Sequence, residues 1–318
     1  MDSFYSTLDD LGYSHFERNQ FKLTKRLGSG YVGEVYEGTL TLIDHEIPIV
    51  AKKLTSHSYE GGKTDDYLYN DLIDELRIGV KFMEQANYLI QFYGYSRVEK
   101  QEEVQLFILM EKTDGCDLAK YLYEDEFWKR LTKEQYDNSH SITALSHEGS
   151  YWDYTMKAKH KLTIMKQIAI AIQELHSYKI VHSDIKTQNM LWVGDHIKLI
   201  DFNASVEMGE KTVVKGRREQ GTPGYMAKEM YDGVIGYSSD IYSFGVCCLE
   251  VWFGDIWPTK SDSYKKNRRY VTDYLSLLEH EEPEVHNLIK HCISVDPKKR
   301  PSLNNILEKV SNLLDLKV

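Results

Sequence analysis

Between residues 182 and 201 the chain gathers four polar groups whose types and offsets suit a group transfer: Asp184, Lys186, Asn189 and Asp201. They fall in His182-Ser183-Asp184-Ile185-Lys186-Thr187-Gln188-Asn189 and in Asp201-Phe202-Asn203. One carboxylate can receive a proton. An amide and a second carboxylate can hold a hard divalent cation, and an ammonium can offset charge on a phosphate. Apolar runs flank the set. Residues 190–193 and 197–200 read as short strands joined at Gly194-Asp195, a pair suited to a tight hairpin. Such a hairpin would hold the four groups at the end of a small rigid sheet.

The bulk composition narrows the surroundings. The chain has 318 residues, 42% hydrophobic, with a formal net charge of -10. That length supports one large domain or two lobes with a sizeable core. An acidic balance argues against a nucleic-acid or anionic-membrane partner, because phosphate backbones need a Lys/Arg surplus. No apolar run reaches the ~18 residues of a membrane span. Residues 1–19 are polar and acidic, without the basic start and apolar centre of a signal peptide. Cys116, Cys247, Cys248 and Cys292 show no metal-ligand spacing. Cys247 and Cys248 sit inside an apolar run, which favours buried free thiols and a reducing, cytoplasmic setting. There is no internal repeat and no low-complexity tract.

Upstream, residues 21–38 bring the tail of one strand to Gly28, Gly30 and Gly33. A G-x-G-x-x-G by itself also fits a dinucleotide fold, which needs a helix after the glycines. Here residues 34–42 alternate and are rich in Val, Tyr and Thr, which favours a strand. A strand–glycine turn–strand is a flap whose backbone N–H groups can close over phosphates, and side chains at the glycines would hold it away. Residues 49–52 form a strand carrying Lys52 among apolar neighbours, either an edge-strand charge or a phosphate-binding ammonium held by a carboxylate. Residues 56–67 read as a loop. Helical spacing covers 68–83, where Glu75 is the expected carboxylate and Asp74 its rival. Strand-like runs follow at 88–95 and 104–110.

In this order the segments resemble the eukaryotic-type protein kinase family, and its Ser/Thr class. The likeness rests on the glycine flap, Lys52, His182–Asn189, Asp201-Phe202-Asn203, Gly221-Thr222-Pro223-Gly224-Tyr225-Met226-Ala227-Lys228-Glu229, Ser239–Gly245 and Asp296–Ser302. It spans residues 27 to about 307. The resemblance implies an α+β bilobal kinase fold, with a small β-rich N-lobe carrying one key helix and a larger, mostly helical C-lobe. It places an N-terminal extension at 1–20, the N-lobe and hinge at 21–113, and the C-lobe at 114–318 with an insertion at 124–160. That insertion is either an extended helix plus surface loop or a docking surface for a partner.

The resemblance also implies roles. ATP would meet Leu27, Gly28, Gly30, Gly33, Val35, Ala51, Met110, Glu111, Thr113 and Leu191, with backbone groups of Glu111 and Thr113 at the adenine edge. Lys52 would contact the α- and β-phosphates and Glu75 would orient it. Asn189 and Asp201 would hold Mg2+, with Mn2+ as an alternative cation. Asp184 would accept the hydroxyl proton of a protein substrate, Lys186 would offset charge on the γ-phosphoryl, and Thr222 would sit in the substrate loop. Asp240 would accept catalytic-loop N–H groups, and Glu229 would pair with Arg300. The location implied is cytoplasmic, or the host cytosol for a secreted effector.

Four departures from the family pattern stand out. Ser183 replaces the Arg that receives an activation-segment phosphate, so dependence on such phosphorylation is expected to be weak; the basic run 215–218 is either a solvated charge run or another phosphate partner. Asn203 replaces a Gly, and Asn tolerates positive φ better than most residues. Lys228 replaces Pro. Gly79 falls one turn after Glu75, where the family packs a bulky apolar residue. Ser183 and Asn203 keep a second reading open, a pseudokinase acting as a nucleotide-binding signalling scaffold; a small-molecule kinase is a third.

Overall fold

The β-branched and aromatic residues of the first third pair into one mostly antiparallel sheet. The computed structural model describes residues 14–30, 33–55, 73–79, 81–82, 86–100, 103–124, 150–215, 221–257 and 263–317. The chain divides into two compact units, Met1–Asp114 and Gly115–Val318.

In the first unit, β1 (Ser14–His15), β2 (Phe21–Gly30), β3 (Gly33–Thr41), β4 (Glu46–Thr55), β5 (Phe92–Lys100) and β6 (Glu103–Glu111) form a six-stranded sheet. Its order is β1-β5-β6-β4-β3-β2. Only the β1–β5 pair is parallel. Side chains alternate across a strand. Ile49 and Ala51 therefore share a face, and they pack with Phe21, Leu40, Phe107 and Leu109 into a core where each is at most 1% exposed. Val50 and Lys52 point to the opposite face. There Lys52 lies opposite Val35, and Val50 opposite Met110.

Two expected boundaries move. The fifth strand is Phe92–Lys100 rather than 88–95. Its pairing with β6 runs on to Lys100↔Glu103, while Leu89 and Ile90 are buried ahead of it. An apolar run marks burial, whereas backbone pairing marks a strand. Helix α1 covers 73–79 and a turn follows at 81–82. The remainder of the expected 68–83 helix, and the expected 56–67 loop, lie outside the described residues.

The second unit is mostly helical: α2 (Leu118–Glu124), α3 (Ser150–Ser177), α4 (Lys228–Tyr231), α5 (Tyr237–Phe253), α6 (Tyr264–Glu281), α7 (Pro283–Cys292) and α8 (Leu303–Leu316). Between them lie β7 (Cys116–Asp117), β8 (Ile180–Val181), β9 (Met190–Val193), β10 (His196–Leu199), β11 (Val206–Glu207), β12 (Val213–Lys215) and β13 (Val234–Gly236). Helix α5 is the core: every residue from Ser239 to Phe253 is buried. Helix α3 packs against α5, α8 and β10. It begins at Ser150, and 150–161 contain neither Gly nor Pro to stop a helix. Residues 150–160 of the expected insertion are thus helical, and 125–149 lie outside the described residues. Among the described residues no helix is long and apolar enough to cross a membrane.

Candidate active site

Strand β8 delivers the chain into 182–189, and a single 3-10 turn, Thr187–Asn189, returns it to the β9–β10 hairpin. Gly194 makes that hairpin with φ +70°. The loop is anchored from beneath by Asp240, 1% exposed in the first turn of α5. Its carboxylate accepts the backbone N–H of His182 at 2.8 Å and of Ser183 at 3.0 Å, and lies 2.8 Å from His176 Nε2. A carboxylate at a helix N-terminus is favourably placed. Ser183 is held at φ +65°, which a non-glycine residue adopts only under constraint; its backbone bond to Asp240 supplies one.

Asp184 collects the polar groups of the loop. Lys186 Nζ donates to Asp184 Oδ2 at 2.8 Å, and Asn189 Nδ2 donates to the same oxygen at 3.0 Å. Thr222, from the 221–229 segment, donates its hydroxyl to Asp184 Oδ1 at 2.7 Å and accepts from Lys186 Nζ at 2.8 Å. Asp184, Lys186 and Thr222 close a triangle in which every contact is charged or charge-assisted. Asn189, 5% exposed, also donates to the Asp184 carbonyl at 2.9 Å, so its amide nitrogen is committed and its oxygen is the acceptor that remains.

Asp201 lies one residue beyond the Ile200 N–H that closes on the Asn189 carbonyl. The expected backbone accommodation at Asn203 is corrected by the structure: the left-handed residue is Asp201, at φ +64°, and Asn203 is not among the positive-φ residues. The turn Ser205 N–H to Phe202 C=O sets the path here, and buried Phe202 pins it. Asn203 acts through its side chain instead, donating Nδ2 to Asp201 Oδ1 at 2.6 Å.

A second cluster beneath the loop escaped the sequence reading. Glu250 of α5 is fully buried, yet its carboxylate accepts from Tyr225 OH (2.6 Å), Tyr123 OH (2.7 Å), Thr187 Oγ1 (2.9 Å) and Trp257 Nε1 (3.1 Å). All four of these donors are neutral. Burial, with the Glu250 charge beside it, drives the Tyr225 phenol well above its ordinary pKa, so it stays a donor. The available signal was a lone acid inside the apolar run 244–253. Farther off, Arg300 grips Glu229 through two parallel bonds, 2.5 and 2.9 Å, and lies over the Tyr242 ring. Exposed Lys228 leaves that pair undisturbed.

In the first unit, Lys52 Nζ bonds both Glu75 oxygens at 3.0 and 2.9 Å; the two residues are 8% and 1% exposed. Asp74 is exposed and pairs with Arg77, which settles the choice between the two acids. Gly79 is buried behind Glu75, with Ile78 and Phe82 buried alongside. Ala51, expected against ATP, faces the opposite side of the sheet, in the core; Val50, half-buried, shares the face of Lys52, Val35 and Met110. Strand periodicity could have made that distinction, but a continuous apolar run conceals it. Leu27 is 49% exposed beside Gly28, where a Cβ would meet nothing within 4 Å among the described residues. Gly33 serves the sheet: a Cβ there would meet the Lys53 carbonyl oxygen at 2.1 Å. Gly30 ends β2. The Glu111 N–H donates to the Gln91 carbonyl at 2.9 Å and is thereby committed within the sheet. Thr113 follows in irregular chain, and Leu191 lies on β9 opposite Asp117.

Asp201 and Asn189 supply hard oxygen donors, the kind Mg2+ takes together with phosphate oxygens. Among the described residues no cluster of three or more His, Cys, Asp and Glu could hold a metal by itself. A cation at Asp201 would therefore depend on amide, phosphate and water oxygens.

A family model described as protein tyrosine and serine/threonine kinase matches residues 21–310. The tyrosine kinase receptor Cad96Ca of Drosophila melanogaster is 26% identical over 94% of this chain and 36% of its own length. The serine/threonine-protein kinase fray1 of Dictyostelium discoideum is 25% identical over 92% of this chain and 46% of its own. The Raf homolog serine/threonine-protein kinase of Caenorhabditis elegans is 28% identical over 48% of this chain and 21% of its own. The chain spans less than half the length of each.

Proposed function

Because the chain belongs to the protein tyrosine and serine/threonine kinase family, we propose that it transfers the γ-phosphoryl group of Mg·ATP to Ser and Thr hydroxyls of proteins. The observation that supports this best is the Asp184–Lys186–Thr222 triangle. Asp184 accepts the proton of the attacking hydroxyl as its oxygen bonds to the γ-phosphorus and the bond to ADP breaks. Lys186 offsets the charge on the transferring group. Thr222 fixes both side chains, so little reorganisation accompanies the step. Lys52, oriented by Glu75, binds the α- and β-phosphates. Asp201 and Asn189 hold the divalent cation, Mg2+ or Mn2+, which when bound neutralises charge on the phosphate oxygens. Leu27, Gly28, Gly30, Gly33, Val35, Met110, Glu111, Thr113 and Leu191 shape the nucleotide site, with Val50 in place of Ala51. The Lys186–Thr222 contact and Gln188, which stands where tyrosine kinases carry an Arg, favour Ser and Thr over Tyr.

One observation favours the scaffold reading: the Asn203 amide already occupies an oxygen of Asp201. Labelled ATP with a general protein substrate separates the two. Transfer by the wild type, lost in Asp184→Ala and Lys52→Met, with label on phosphoserine and phosphothreonine, is the expected result. Nucleotide binding without transfer sinks the enzyme reading, and label on tyrosine sinks the specificity.

A further inference from the structure

Asn203 stands where the resemblance leads one to expect a glycine, and nothing in its backbone accounts for it, since the left-handed residue of this turn is Asp201. Its side chain has two polar atoms. Nδ2 is 2.6 Å from Asp201 Oδ1. Oδ1 is buried, with no hydrogen-bond donor among the described residues. A buried carbonyl oxygen without a partner is rare enough to call for an unseen donor, water or ion. The oxygen belongs to a carboxamide already in contact with the carboxylate that the kinase reading assigns to the cation. The adjacent turn, closed by Ser205 N–H on Phe202 C=O at 2.9 Å, fixes it there.

We propose that Asn203 Oδ1 is a third protein ligand of the divalent cation held by Asp201 and Asn189. A neutral amide oxygen is an acceptable ligand for Mg2+ and Mn2+ and adds no negative charge next to the triphosphate. The two polar atoms then divide the work. Nδ2 keeps its bond to Asp201 Oδ1 and orients that carboxylate, as supporting partners do for ligating groups. Oδ1 takes a cation position that water would otherwise fill. The dual contact explains why the position carries a carboxamide rather than a glycine or a purely hydrogen-bonding hydroxyl.

The inference rests on the kinase reading for the cation site itself, and the test keeps the two apart. Mn2+ is bound to the full chain with a non-hydrolysable ATP analogue. Its affinity and its number of bound waters are read by electron paramagnetic resonance in 17O-labelled water. Thermal melts confirm that each variant is folded. In Asn203→Gly the cation gains one water and binds roughly tenfold more weakly; Asn203→Asp, which retains an oxygen, keeps the wild-type water count. An unchanged water count in Asn203→Gly overturns the proposal, whether affinity holds or rises, and leaves Asn203 as a restraint on Asp201 alone. Mn2+ binding that Asp201→Asn does not weaken instead overturns the cation site of the kinase reading, and this inference with it.

Discussion

Tyr225 and Glu250 are joined by a 2.6 Å hydrogen bond across 25 residues of chain, with both side chains buried. The same carboxylate holds Thr187 of the catalytic loop, so the 221–229 segment and the loop hang from one acid in α5. Tyr225→Phe removes one of four donors and should destabilise by about 1–2 kcal/mol. Glu250→Leu removes the acceptor that four donors share and should cost more, roughly 3 kcal/mol or above. Thermal melts rank the two. If Glu250→Leu melts at the wild-type temperature, the cluster does not support the site.

Lys52 and Glu75 form a buried ion pair, and removing either takes from the other a charged partner at 2.9 Å. Lys52→Met and Glu75→Ala should each destabilise by about 3–5 kcal/mol. The double replacement Lys52→Met/Glu75→Leu should lose clearly less than the sum, because the residues are coupled. Phosphoryl transfer should remain absent in all three by roughly 10²-fold or more. Additive losses would mean that the pair is not an energetic unit; activity regained with stability would remove Lys52 from the phosphate site.

What could be read from the sequence divides by distance along the chain. Asp184, Lys186 and Asn189 lie within six residues, and local spacing alone placed them together. The Lys52–Glu75 pair spans 23 residues, and only the order of motifs suggested it. The Glu250 cluster reaches Tyr123 across 127 residues, and no local pattern joins those two. The exchange of Ala51 for Val50 has another origin. In a continuous apolar strand both faces look alike, and only register tells them apart. The left-handed φ at Asp201 rather than Asn203 is likewise a property of the folded turn, and residue preference pointed to the wrong position.

Strand β12 pairs with β13 in the register Val213↔Gly236, Val214↔Ile235 and Lys215↔Val234. Val206, Met208 and Ile235 pack with Val181 beside it, so backbone pairing and apolar contact hold this part of the activation segment. With Ser183 in place of an Arg, we propose that this pairing does not depend on a phosphate at Thr212. Phosphatase treatment should leave transfer within about twofold of the untreated enzyme, and Thr212→Ala should do the same. Loss of activity after dephosphorylation, matched by loss in Thr212→Ala, would reverse this conclusion.

Cys116 is the one exposed thiol of four. Burial drives the thiols of Cys247 and Cys248 well above their ordinary pKa and pushes Cys292 up to about 12. Thiolate is the reactive form, so only Cys116 should react with a disulfide reagent such as Ellman's reagent near neutral pH. Unfolding in guanidinium should release all four. Two or more fast thiols in the native protein would place Cys247, Cys248 or Cys292 nearer to solvent than the packing around α5 allows.

Burial lowers His160 and His286 below the usual histidine value near 6.5; at His286 the nearby Lys290 adds to the effect and Glu279 opposes it. The unfolded chain binds these protons more readily than the folded one. Stability from the neutral rings is therefore complete above the unfolded value and is lost as pH falls through it toward the folded values. His160 also lies 2.8 Å from Tyr121 OH and edge-on to Trp192, contacts that a neutral ring can keep at low pH only by excluding the proton. Between about pH 7.5 and about pH 5.5 the melting temperature should fall in the wild type and fall less in His160→Gln/His286→Gln. The glutamines preserve polar contacts and remove the titration. Parallel pH profiles for the two proteins would show that acid sensitivity in this range arises from other groups.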